Sequence, residues 1–144
     1  MTSRGRVLVI DDEPALRLLC SVNLNLAGFE VDEAESGREG LARAREDRPD
    51  LILLDMMLPE FDGNAVVHAL QADEDVADIP VVFLSARTAP EDIRDAYRAG
   101  AVDYITKPFD PVELAERVGR VLDRVSEGGA DAFRHAELAR LGLL

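Results

Sequence analysis

The sequence predicts an α/β fold in which a parallel sheet is covered by helices on both faces. Two observations carry this. First, five short apolar runs alternate with five segments of helical periodicity, and a strand-helix unit repeated in this way demands a parallel sheet with right-handed crossovers. Second, four of the runs stop at a polar residue. Arg6 to Ile10 runs into Asp11-Asp12, Leu51 to Leu54 into Asp55, Val81 to Leu84 into Ser85, and Tyr104 to Thr106 into Lys107-Pro108. A buried parallel strand reads this way where it leaves the sheet. In open α/β sheets the functional crevice lies at those carboxyl ends.

Each element has its own signal. After Asp12, Pro14 suits a helix first turn, and Leu16, Leu19, Cys20, Leu24 and Ala27 recur at helical spacing until Gly28. Phe29 to Ala34 is the weakest strand, with Phe29, Val31 and Glu33 alternating against Glu30 and Asp32, and it suits a sheet edge. Ser36 caps a helix over 37–46, with Glu39 placed as in a capping box. Pro49-Asp50 turns into Leu51 to Leu54, apolar throughout and therefore central. Pro59 and Asp62-Gly63 mark a loop before a helix over 64–72. Asp73 to Asp78 reads as a solvated acidic loop leading to the fourth strand. Ala89-Pro90-Glu91 opens a helix that closes at Ala99-Gly100. The fifth strand spans 102–106. Asp110-Pro111 starts a last helix whose apolar face carries Val112, Leu114, Ala115, Val118, Val121, Leu122 and Val125. Glu127-Gly128-Gly129 is a breaker. The expected strand order is the flavodoxin-like 2-1-3-4-5. One domain spans 5–126, and 127–144 is a tail with the makings of a short amphipathic helix through Phe133, Leu138, Leu141 and Leu144.

Composition bounds the function. Sixteen basic and 29 acidic residues leave a net charge of −13, which argues against direct binding to nucleic-acid phosphates. No apolar stretch reaches membrane-span length, and the N-terminus runs straight into a strand, so the expectation is a cytoplasmic protein with no membrane contact. The single cysteine, Cys20, sits among leucines and reads as a buried, inert thiol. His68 and His135 lack metal-ligand neighbours at suitable spacing and read as surface residues.

The strand-end residues suggest a chemistry. Phosphoryl transfer to a carboxylate needs a nucleophile, a divalent ion and donors for the equatorial oxygens. Asp55, ending the most apolar strand, suits the nucleophile. Asp11 and Asp12 are hard oxygen ligands suited to Mg²⁺. Taken singly, each residue has a plainer reading. Asp55 could start a helix, Asp11-Asp12 could cap the helix at Pro14, Ser85 could be a loop hydroxyl, and Lys107 a solvated strand end. Their joint occurrence, each at a strand terminus, favours one shared site. Tyr104 reads almost as well as a half-buried edge aromatic.

The ordered set Asp11-Asp12, Asp55, Ser85, Tyr104 and Lys107-Pro108 resembles the receiver domain of two-component response regulators, from roughly Arg6 to Arg124. Pro59, Asp62-Gly63 and Phe109 support the resemblance. It implies phosphorylation of Asp55 by a histidine kinase or histidine phosphotransfer protein, with Mg²⁺ held directly by Asp12, Asp55 and the Met57 carbonyl and through water by Asp11. It implies that Lys107, the Ser85 hydroxyl and the Ala86 amide hold the phosphoryl group, and that Lys107 and Pro108 are joined by a cis bond. It further implies that phosphorylation draws Ser85 in and turns Tyr104 inward. That would repack the face made by the fourth helix, fifth strand and last helix for a downstream partner, a fused output domain or a second copy in a homodimer. Ser85 stands where many relatives carry threonine. Met57 and Arg87 occupy positions that influence phosphoryl lifetime. Val102 replaces an acid common in transcription-factor members.

Other classes fit less well. A Mg²⁺-dependent phosphatase of the haloacid dehalogenase kind wants an Asp-x-Asp arrangement on the first strand, where this chain has adjacent acids. A flavodoxin-type phosphate site would be repelled by those same acids. A phosphorylation-independent interaction module would have no use for the intact acid set. The expectation is therefore a phosphoacceptor rather than a turnover enzyme. Its output is either that of a stand-alone receiver or that of a longer chain.

Overall fold

The computed structural model describes residues 3–128 and 137–142. Its order is β1 (Arg6–Ile10), α1 (Pro14–Leu26), β2 (Glu30–Ala34), α2 (Gly37–Asp47), β3 (Leu51–Asp55), α3 (Gly63–Gln71), β4 (Val81–Ser85), α4 (Pro90–Ala99), β5 (Asp103–Thr106) and α5 (Pro111–Gly128). All strand pairs are parallel, and the sheet order is β2-β1-β3-β4-β5. The order and the pairing match those expected from the sequence.

The period-two alternation of the strands divides the core. Leu8, Ile10, Ile52, Leu54 and Phe83 face one side and pack with Val66, Val67 and Leu70 of α3 and with Ala96 and Tyr97 of α4. Val7, Val9, Leu51, Leu53, Val82 and Leu84 face the other and meet Cys20 and Leu24 of α1 and Leu114, Val118 and Val121 of α5. β3 and β4 are buried along their whole length, which is why their sequences do not alternate.

The helix starts follow their capping residues. Ser36 Oγ accepts from the Glu39 amide, and Asp62 Oδ1 accepts from the Ala65 amide. Asp110 Oδ1 accepts from the Val112 amide at the head of α5. Gly100, with φ of 125°, closes α4 in a conformation that disfavours a side chain.

Several expectations are corrected. Leu19 is 40% exposed and Val112 is 61% exposed, so neither belongs to its helix's buried face. On α1 the helical period brings Ser21 inside beside Cys20 and Leu24 instead. Glu33 is exposed and pairs with Arg17 at 3.3 Å. The acidic loop is not fully solvated, because Val76 is buried in it and Asp73 pairs with Arg45 at 2.9 Å. α5 continues to Gly128, so Glu127 and Gly128 of the expected breaker are helical, while Gly129 lies outside the described residues. In the tail, residues 137–140 form one helical turn. Phe133, His135 and Leu144 lie outside the described residues.

Gly63 ties the fold to the strand end that matters most. A Cβ there would lie 2.7 Å from the Met56 Cα, 2.8 Å from the Phe83 ring and 2.9 Å from the Asp55 carbonyl oxygen. Gly63→Ala is therefore expected to destabilise the protein by about 1–3 kcal/mol, as overpacking does. The readout is a lower urea midpoint at unchanged slope, and an unshifted midpoint would contradict this packing.

Candidate phosphoryl and metal site

The parallel register brings the strand-end residues together. Ile10 pairs with Leu54, so Asp11 and Asp55 leave the sheet side by side. Asp55 pairs with Leu84, which puts Ser85 next along, and Ser85 pairs with Thr106, which puts Lys107 after it. Backbone bonds extend the ladder past the strands: the Asp11 amide donates to the Ala34 carbonyl, Met56 to Leu84 and Lys107 to Ser85.

Asp11 is fully buried, Asp55 is 4% exposed, and Asp12 is exposed at the mouth. One carboxylate oxygen from each lies within 4.8 Å of the others. Lys107 Nζ reaches Asp11 Oδ2 at 3.2 Å and Asp55 Oδ2 at 3.6 Å. The remaining carboxylate oxygens are held locally, Asp11 Oδ1 by the Glu13 amide at 2.9 Å and Asp55 Oδ1 by the Met57 amide at 3.0 Å. Arg17 Nη1 donates to the Asp11 carbonyl at 2.7 Å and so fixes the backbone at the bend.

Burial pushes the Asp11 carboxyl above its ordinary range, and the neighbouring Asp55 adds to the rise against the opposing pull of the Glu13 amide and Lys107. Burial works to lower the Lys107 ammonium, but Asp11 and Asp55 outweigh it and hold the group above its ordinary value. Three carboxylates against one ammonium leave two negative charges uncompensated. Like charges at this spacing repel by ~1 kcal/mol in water and ~4 kcal/mol at an effective dielectric near 20. The donor set is all carboxylate oxygen, clustered and over-negative, so these residues fit a small divalent cation.

A second group lies behind Asp55. Ser85 is fully buried, and its Oγ accepts from the Arg87 amide at 3.1 Å. Ala86, directly after it, is exposed. Tyr104 is 6% exposed, and its hydroxyl donates to the Arg87 carbonyl at 2.8 Å. Tyr104 is thus buried rather than half-buried. Met56 Sδ lies 3.9 Å from both the Ser85 Oγ and the Tyr104 hydroxyl. Lys107-Pro108 is a cis peptide.

Sequence reasoning missed Met56, Arg17 and the Asp103–Arg117 pair. Nε and Nη2 of the Arg117 guanidinium donate to the buried Asp103, and the Tyr97 hydroxyl donates to the same carboxylate at 3.3 Å. A buried acid on a strand needs such a partner, which could have flagged an arginine one helix away. The two positions that the resemblance links to phosphoryl lifetime differ in setting: the Met57 side chain is half exposed, and Arg87 pairs with Asp92 at 3.7 Å.

Residues 7–119 match the family model of the response regulator receiver domain. The chain belongs to the response regulator receiver family. It is 45% identical over 139 residues to the DNA-binding dual master transcriptional regulator RpaA of Synechocystis, covering 96% of this chain and 57% of that protein. It is 40% identical over 126 residues to the phosphate regulon regulatory protein PhoB of Pseudomonas aeruginosa, covering 88% of this chain and 55% of that one. The chain thus spans little more than half the length of these curated relatives. Among solved structures it superimposes on the chemotaxis response regulator CheY4 of Vibrio cholerae with a TM-score of 0.78 at 34% identity, covering 83% of this chain and 98% of that one. The receiver domain of the Francisella response regulator 1452 gives a TM-score of 0.78 at 30% identity, with 84% and 98% covered. As a receiver, the chain is a phosphoacceptor module of two-component signalling. Among the described residues no helix is long and apolar enough to cross a membrane.

Two predictions come from the charges. Mg²⁺ at ten times its dissociation constant is expected to stabilise the protein by about 1.4 kcal/mol, seen as a higher melting temperature. That gain fades on acidification as Asp11 takes up a proton, starting at a higher pH than an ordinary aspartate would. Without Mg²⁺ the sign for Asp11 reverses. Its raised folded value means a stabilising contribution present below the unfolded value and lost as pH rises through the folded one. Melting curves with and without Mg²⁺ between pH 4 and 7.5 check both, and a Mg²⁺ increment independent of pH would contradict them. Tyr97 and Tyr104 are both pushed up, chiefly by burial. They are the only tyrosines in the chain, so absorbance at the phenolate band is expected to rise only where alkali unfolds the protein.

Proposed function

We propose that Asp55 is the phosphoacceptor. One carboxylate oxygen attacks the phosphorus of a phosphohistidine on a histidine kinase or phosphotransfer protein. The new O–P bond forms as the P–N bond breaks, and the imidazole leaves with the electron pair. The observation that carries this reading is the parallel register, which puts Asp55 beside Asp11 and within 3.6 Å of Lys107 Nζ.

Mg²⁺, held by Asp11, Asp12 and Asp55 with the Met57 carbonyl, would supply charge compensation for the entering phosphoryl group. Lys107 sits where it can transfer its pairing from Asp11 and Asp55 to a phosphoryl oxygen, as a point charge on a flexible stem. The Ser85 hydroxyl and the Ala86 amide take the remaining oxygens. The entering group brings nearly two negative charges and three acceptors. Ser85, Met56 and Tyr104 form one contact series from that point to β5. Through it the α4–β5–α5 face would respond, and that face would serve a downstream partner, an output domain or a second copy. The DNA-binding regulators named above support transcriptional control as the output, exerted through a basic surface that a receiver of net charge −13 does not offer. The setting is the cytoplasm.

Acetyl phosphate with Mg²⁺ tests the assignment without a kinase. The wild-type protein is expected to gain one phosphoryl mass and Asp55→Asn none. Equal labelling of the two would sink the reading.

A further inference from the structure

Residues 137–142 lie against the α4–β5–α5 face. Leu138 is 8% exposed and belongs to the same apolar cluster as Ala96 and Tyr97 of α4 and Tyr104 of β5. Glu137 and Arg140 flank it one helical turn apart and pair with each other at 2.7 Å. Together with Arg120 and Arg124 of α5 and the Asp103–Arg117 pair they line one cleft of about 460 Å³. Arg140 and Leu141 also close a smaller cavity of about 270 Å³ over Pro90, Ile93, Tyr97 and Tyr104. The chain can reach this face. Gly128 to Glu137 is nine residue steps, a reach of ~30 Å. The cleft begins at Arg124 and extends back to Glu113, fifteen residues up α5 from Gly128, or ~22 Å.

We propose that the α4–β5–α5 face is a docking groove whose occupant in the isolated chain is its own segment Glu137–Gly142, bound through Leu138. The segment is a tethered ligand: its contact area is small, but the tether keeps its local concentration high. A partner or second copy then reaches the face only in competition with residues 137–142. The competition borrows from the functional reading the idea that this face carries the output, whereas the docking itself stands on the packing of Leu138.

The chain has two tyrosines and no tryptophan, and Tyr97 and Tyr104 both lie beneath this segment at 1% and 6% exposure. Tyrosine emission therefore reports on this face alone. Acrylamide quenching of the full chain is compared with Leu138→Asp and Leu138→Ala, each checked for an unchanged far-ultraviolet circular dichroism spectrum. The quenching slope is expected to rise at least twofold in Leu138→Asp and by a smaller factor in Leu138→Ala. If Leu138→Asp does not keep the spectrum, Leu138→Ala carries the test. A slope equal to wild type in the folded variants overturns the proposal. The same contrast measured in an Asp55→Asn background is expected to persist. Loss of phosphoryl acceptance and loss of tail docking are thereby read separately.

Discussion

Parallel strand register is the constraint on which the rest of this structure depends. Five strands run the same way, so their carboxyl ends open on one edge. The pairings Ile10 with Leu54, Asp55 with Leu84 and Ser85 with Thr106 then decide which residues become neighbours. A slip of one residue on β3 would send the Asp55 side chain to the opposite face of the sheet and exchange Leu51 and Leu53 with Ile52 and Leu54 between the two halves of the core. The burial that stabilises β3 is thus the same burial that aims its terminal carboxylate. Gly63 adds a second restraint, because α3 approaches the end of β3 closely enough to leave no room for a Cβ.

The site so assembled is costly by itself. A fully buried Asp11 beside Asp55, answered by a single lysine, is a local charge imbalance in a chain that is already strongly acidic. An arrangement selected for stability alone would replace these acids with apolar residues. The cost makes sense where a cation and a phosphoryl group are to be recruited, because the uncompensated charge becomes differential affinity. Behind the site, Ser85, Met56 and Tyr104 occupy buried positions with few alternative partners. A displacement of Ser85 is therefore felt at β5 rather than absorbed by solvent.

Much of this was readable in the residues before any coordinates. The fully apolar runs Leu51 to Leu54 and Val81 to Leu84 announced central strands, and Asp11, Asp55, Ser85 and Lys107 announced a shared edge because each ended a run. The capping residues Ser36 and Asp110 placed two helix starts, and the Asp62-Gly63 turn signal placed a third within a residue. What escaped was whatever depends on rotation about an element or on distant pairing. The period of α1 alone did not decide between Leu19 and Ser21 for the buried position. The bond between Arg117 and Asp103 joins α5 to β5, and nothing local to either residue encodes it. Met56 reads as another core methionine until Ser85 and Tyr104 are seen on either side of its sulfur. The inward placement of Tyr104 and the return of Leu138 onto α4 and β5 likewise belong to tertiary packing, which no sequence period describes.

The central claim is that register singles out one of three clustered carboxylates for the phosphoryl group. Borohydride reduces an acyl phosphate to the alcohol and so converts a phosphorylated aspartate into homoserine, whose position mass spectrometry can map. After treatment with acetyl phosphate and Mg²⁺, the account predicts homoserine at position 55, with Asp11 and Asp12 unchanged. Homoserine at position 11 or 12 would contradict it.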